Sequence, residues 1–175
     1  MSNPLNPGFG TVLIAAGLGG LVVSWTDDGT INFGASVTSD QQVAIMALHD
    51  AYDATKTAKI AELRVACAKA IVGGFASSAL GSTHNYPSQD LDQQNMAASV
   101  LASLLSDGLV SGWTTPFWCQ DGSGAWAFVP HTATQIQQVG SDGKLFVVTA
   151  QQKLVTLSAE VMAATSDGAV AAIAW

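Results

Sequence analysis

Two short, nearly unbroken apolar runs open the chain, Thr11-Val12-Leu13-Ile14-Ala15 and Leu21-Val22-Val23-Ser24-Trp25, on either side of Gly17-Leu18-Gly19-Gly20. Runs of that length around glycines able to take positive φ predict two strands joined by a turn. The chain then turns at Asp27-Asp28-Gly29 and resumes as Thr30-Ile31-Asn32-Phe33, which predicts a second hairpin. A ribbon of two or three strands has too little apolar partner surface to stand alone in water. It is expected to need something to lie against.

From residue 38 the apolar spacing changes to three and four. Thr38-Ser39-Asp40-Gln41 places a hydroxyl ahead of the periodic run with a glutamine three residues on, a helix-start signature. Val43, Met46 and Ala47, then Ala58, Ile60, Leu63 and Ile71, predict one helix, or two with a break near residues 53–57, stopped by Gly73-Gly74. Pro87-Ser88-Gln89-Asp90 begins another helix, with Leu91, Met96, Ala97, Val100, Leu101, Leu104 and Leu105 as the expected buried stripe and Asp107-Gly108 as its stop. Phe117-Trp118-Cys119-Gln120 and Ala125-Trp126-Ala127-Phe128-Val129, around Asp121-Gly122-Ser123-Gly124, form the clearest hairpin. A short helix over 133–139 is expected to break at Ser141-Asp142-Gly143 before a longer one over 146–164, and Ser166-Asp167 caps a final turn.

The fold class that follows is α+β: a mainly helical C-terminal domain with a small β-hairpin, preceded by a Gly-rich apolar β-arm. The divisions are an arm over 1–36, a linking amphipathic helix or helix pair over 37–72, and a compact domain over 73–175.

Composition narrows the functions open to such a fold. Only 11% of the 175 residues are charged, against roughly 25% in an ordinary soluble domain, so much of the surface is Ser, Thr, Gln, Ala and Gly. A net charge of -7 repels phosphates and disfavours nucleic acid as a partner. Residues 1–26 carry no charge, yet no Lys or Arg precedes the apolar run as in a signal peptide, and the glycines interrupt it short of the about 20 residues that a membrane span requires. An extended arm is expected there, not a membrane segment. Cys67 and Cys119 lie in no CxxC pair, so no zinc and no other cofactor is expected, and the two thiols read as buried and reduced.

The candidate chemistry has a structural reading beside each functional one. His49, His84 and His131 invite pairing with Cys67 or Cys119, since a thiol needs a base or a cation to become a nucleophile. His131 before Thr132 reads as helix entry, and Cys119 between Trp118 and Gln120 as strand packing. Asp90, Asp92 and Asn95 have calcium-loop character without the glycine or the closing glutamate, and read as first-turn carboxylates. Lys56, Lys59, Arg64 and Lys69 read as the solvated side of a helix. Trp25, Trp113, Trp118, Trp126 and Trp175 raise a sugar-stacking platform, but Trp113, Trp118 and Trp126 gather about one hairpin and are expected to close a small core.

The string Gly74-Phe75-Ala76-Ser77-Ser78-Ala79-Leu80-Gly81, followed by His84, Tyr86, Asp92, Gln93 and Asn95, resembles a domain of tailed-bacteriophage proteins, domain of unknown function 4376. Phe117, Cys119, Asp121, Gly124, Trp126, His131, Thr132, Gln135, Val139, Lys153 and Leu157 extend the resemblance, which covers about 58–175. No catalytic residue travels with it. It implies a tail-associated protein encoded among fibre and baseplate genes, found in the virion tail and, during assembly, in the host cytoplasm.

The expected function is therefore a non-enzymatic structural component of a bacteriophage tail. Its partners would be other fibre or baseplate subunits or further copies of itself, without nucleic acid or membrane. The arm would dock by adding strands to a partner, with Phe9, Leu13, Leu18, Leu21, Val23 and Trp25 as its anchors. The alternatives are a tail-fibre assembly chaperone and a cell-wall or other hydrolase using His84 or His131 with Asp92 or Asp121.

Overall fold

The structure, a computed structural model, describes residues 5, 8–26, 29–106 and 111–175. In chain order its elements are α1 (Gly8–Ala15), β1 (Val23–Trp25), β2 (Ile31–Phe33), α2 (Ser39–Ala51), α3 (Ala54–Val72), β3 (Phe75–Ser77), β4 (His84–Tyr86), α4 (Asp90–Ser106), β5 (Thr114–Gln120), β6 (Trp126–Thr132), α5 (Ala133–Ala163) and α6 (Asp167–Ala172). The fold is α+β, as expected. By compactness the chain divides into two units, Met1–Leu63 with Ser158–Ala174, and Arg64–Leu157 with Trp175.

In the first unit the opening run is a helix, which corrects the strand expected at residues 11–15. Phe9 and Leu13 are spaced by four, so they share one face of α1, and both are buried, as is Leu5 ahead of the helix. Gly17, read as a hairpin turn, instead ends the helix. Its φ is 73°, and two hydrogen bonds, Leu18 N–H to Leu13 O at 2.9 Å and Gly17 N–H to Ile14 O at 3.0 Å, close the left-handed cap that glycine favours. The second hairpin is present: β1 pairs antiparallel with β2, Ser24 facing Asn32. Asp27 and Asp28 of its turn lie outside the described residues.

The expected cap at Thr38 is also present, with Thr38 Oγ1 accepting from Gln41 N–H at 3.3 Å and Gln41 Oε1 accepting from Thr38 N–H at 2.9 Å. The helical stretch after it breaks at Tyr52, which is extended, and Asp53 restarts it by accepting from Lys56 N–H at 2.9 Å. One core joins α1, both strands and α2: Leu5, Phe9, Leu13, Val37, Ile45 and Tyr52, with Leu18, Leu21, Val23 and Trp25 half-buried against it. The expectation that the leader cannot cover itself is overturned, because the helix turns Phe9 and Leu13 onto the residues that follow. Each such burial contributes about 1.5–3 kcal/mol.

The second unit is a four-stranded antiparallel sheet in the order β3-β4-β5-β6, with α4 and α5 supplying the other half of its core. β3 and β4 are three-residue strands that the apolar pattern does not announce. Phe75, Tyr86, Phe117 and Cys119 from the sheet meet Met96, Ile136 and Val139 from the helices.

Helix α5 runs unbroken through Ser141-Asp142-Gly143, which corrects the expected interruption. Gly140 and Gly143 serve close approach there. A Cβ on Gly140 would lie 2.6 Å from a Val100 methyl, and one on Gly143 would lie 2.8 Å from the Phe75 ring. Asp142 accepts from Ser77 Oγ and from Gln138 Nε2, which ties the same turn to β3. Of its apolar residues helix α4 buries Met96, with Val100 half-buried beside it and the Ser103 hydroxyl buried as well, while Leu91, Leu101, Leu104 and Leu105 are exposed. Its apolar residues span more of the helix than one contact face can cover. The expected stop at Asp107-Gly108 lies outside the described residues.

Candidate functional site

Strands β5 and β6 pair over seven positions, from Thr114 opposite Thr132 to Gln120 opposite Trp126. Alternation along a strand sends successive side chains to opposite faces. Phe117 and Cys119 point into the core, so Trp118 between them must point away. The same parity on β6 puts His131 inside and Trp126 and Phe128 outside. The expectation that Trp118 and Trp126 close a small core is therefore corrected: they are 39% and 42% exposed, and Phe128 is 68% exposed. Of the other tryptophans, Trp25 and Trp113 pack against the first and second cores, and Trp175 lies under Lys153 Nζ, 4.8 Å from its ring centroid.

The three outward rings form a strip. Trp118 and Trp126 are nearly parallel, 16° apart with centroids 6.0 Å apart, and Trp118 and Phe128, directly paired across the strands, are 4.8 Å apart. At one end Gln120 extends the strip: its Oε1 accepts from Asn85 Nδ2 at 3.2 Å and its Nε2 donates to Gly124 O at 3.0 Å. At the other end Pro116 faces Pro130. β4 reaches β5 only at Gln120 and β6 is the edge of the sheet, so each proline sits where a strand has a side without a ladder partner.

Two clefts flank the strip. One, of about 640 Å³, lies where β5 borders α4 and is lined by Asn95, Ser99 and Thr115 together with Trp118 and Phe128. The other, of about 590 Å³, is bordered by Asn85, Gln120 and Trp126. A third, apolar groove of about 450 Å³ runs between α4 and α5 past Met96, Leu101, Leu104 and Val147.

Inside the sheet, the residues singled out for nucleophilic chemistry serve packing. His131 is fully buried, and its Nδ1 lies 2.7 Å from Val129 O, which makes that nitrogen the N–H donor. Its Nε2 then accepts from the Tyr86 hydroxyl at 2.8 Å. Burial holds the His131 imidazole below its ordinary range, and burial likewise pushes the Cys119 thiol and the Tyr86 hydroxyl up. A neutral imidazole whose two nitrogens are engaged leaves Cys119 protonated and buried.

Cys67, also buried, directs its thiol to Ala150 O at 3.6 Å. His84 Nδ1 lies 2.9 Å from Ser82 O, and Asp92 accepts from Gln89 N–H at 3.0 Å at the start of α4. Asp121 organises the hairpin turn, and hydrogen bonds, first from Ser123 and then from Ala125, hold its carboxyl below the usual range. The described residues contain no group of three or more His, Cys, Asp or Glu placed to hold a metal ion, and no helix among them is long and apolar enough to cross a membrane.

Of the six anchors expected in the leader, Phe9 and Leu13 are buried and Leu18, Leu21, Val23 and Trp25 are half-buried, all in the first unit's own core. The exposed aromatic strip was read in the sequence as packing, and the parity of β5 was the signal that places it outside. A family model described as domain of unknown function (DUF4376) matches residues 54–174. No curated protein and no solved structure matches the chain.

Proposed function

We propose that the chain, which belongs to the DUF4376 family, is a non-enzymatic structural component of a bacteriophage tail, of the fibre or baseplate kind, held in the particle by contacts with other tail proteins. The tail assignment comes from the resemblance of the motifs around Gly74-Phe75 and Phe117–Val139. The observation that carries the structural role is the exposed apolar face of α4, where Leu91, Leu101, Leu104 and Leu105 are 67%, 58%, 57% and 65% exposed. Apolar surface gathered this way on a chain so poor in charge favours burial against another protein.

Docking is accordingly assigned to the second unit and not to the leader, whose anchors serve the first core. The experiment is mass spectrometry of purified particles of the encoding phage, with the parent chain and with a Leu101→Ser, Leu105→Ser variant. The chain is expected in the particles at fixed copy number, and the variant is expected to be depleted. A chain found in lysates but missing from particles would replace this reading with the assembly helper. Full occupancy by the variant would remove the α4 face as the contact.

A further inference from the structure

We infer that the outward face of the β5–β6 hairpin, with the two clefts it joins, is a binding site for an uncharged oligosaccharide. The inference stands apart from the tail assignment and from the leucine face of α4. A sugar ring presents an apolar C–H face and a rim of hydroxyls, so its site needs flat apolar surface with hydrogen-bonding groups at the edges. The Trp118, Trp126 and Phe128 strip supplies the flat surface, and it is left in water although large aromatic rings gain most from being covered.

The edges are supplied on both sides. In the cleft beside α4, Asn95, Ser99 and Thr115 share the lining with Trp118 and Phe128, and these three side chains have no protein hydrogen-bond partner among the described residues. In the cleft beside Trp126, the amides of Asn85 and Gln120 are held in place by their bonds to one another and to Gly124 O. They keep free donor and acceptor capacity while losing little freedom on binding.

The charge of the ligand follows from the lining. No Lys, Arg or His borders either cleft, and the one carboxylate, Asp92, already accepts from Gln89 N–H. A phosphate or an acidic sugar would find no counter-charge, whereas a neutral chain long enough to cross the strip would reach polar groups at both ends. A proline-rich peptide shares the taste for aromatic grooves and offers carbonyl acceptors, but its prolines have no N–H to donate to the Asn95 amide oxygen, whereas a sugar hydroxyl donates and accepts.

The test is isothermal titration of the full chain with cellohexaose, maltohexaose and N-acetylchitohexaose, alongside a proline-rich peptide. Saturable binding of at least one sugar is expected. Trp118→Ala should weaken it roughly tenfold, as loss of one good aromatic contact does. Asn95→Ala should weaken it several-fold with an unchanged unfolding midpoint, since alanine suits an exposed helical position at least as well. The proposal falls if none of the three sugars binds, if both variants bind as the parent does, or if only the peptide saturates the site.

Discussion

Two aromatic clusters of similar composition end in opposite states. In the first unit, Phe9 meets Trp25 edge-on at 5.4 Å and Tyr52 at 5.3 Å, and is wholly buried. In the second, Trp118 meets Phe128 at 4.8 Å and Trp126 at 6.0 Å, and all three rings stay at the surface. Ring chemistry does not separate them. Phe9 rides on a helix whose buried face also carries Leu13, and that face shares a core with Leu5, Val37 and Ile45. The hairpin rings stand on the face of the sheet opposite its core, because Phe117, Cys119 and His131 hold the other parity. The same apolar area thus stabilises the fold in one place and is left available for a ligand in the other.

The largest expected effect follows for Phe9→Ala, which should cost about 3–5 kcal/mol. Native-state hydrogen exchange of α1 and α2 reads it, and a loss below about 1 kcal/mol would mean that the leader is not part of this core. Gly143→Ala forces a Cβ against the Phe75 ring and should cost about 1–3 kcal/mol, read by exchange of the α5 amides.

Tyr86→Phe removes the hydroxyl that donates to His131 Nε2 and should cost about 1–3 kcal/mol in denaturant titration. The same imidazole sets a pH dependence. Its folded pKa is depressed below the ordinary 6.5, so the unfolded chain takes up the proton first. Stability is expected to hold above that value and to fall as the pH drops below it, while the contribution of Asp121, depressed from 3.8, is lost only at lower pH. Urea midpoints between pH 5 and 7 check the sign, and a midpoint that rises on acidification would contradict a buried neutral His131. The smallest effect belongs to the outer strip: Phe128→Ala removes one cross-strand pair and should cost about 0.2–1 kcal/mol, read as a shift in the urea midpoint.

Much of this arrangement was legible in the sequence, and the failures have definite causes. The Thr38 to Gln41 cap, the stop at Gly73-Gly74 and the hairpin around Asp121 to Gly124 rest on local chemistry, and all three are present. The leader was misread because an apolar run of five suits strand or helix alike, and the four-residue spacing of Leu5, Phe9 and Leu13 was the overlooked sign. Ser141-Asp142-Gly143 reads as a break because the reason for Gly143 lies in Phe75, distant in sequence. The tryptophans were recognised as residue types but assigned to the wrong face. Trp118 and Cys119 are neighbours on one strand and cannot both point inward.

Hydroxyl-radical footprinting of the full chain in solution, read residue by residue by mass spectrometry, addresses the contrast between the clusters most directly. Trp118, Trp126 and Phe128 are expected to oxidise readily, with Phe9 and Leu13 protected. Protection of the hairpin rings together with oxidation of Phe9 and Leu13 would return the contact surface to the leader and contradict the account.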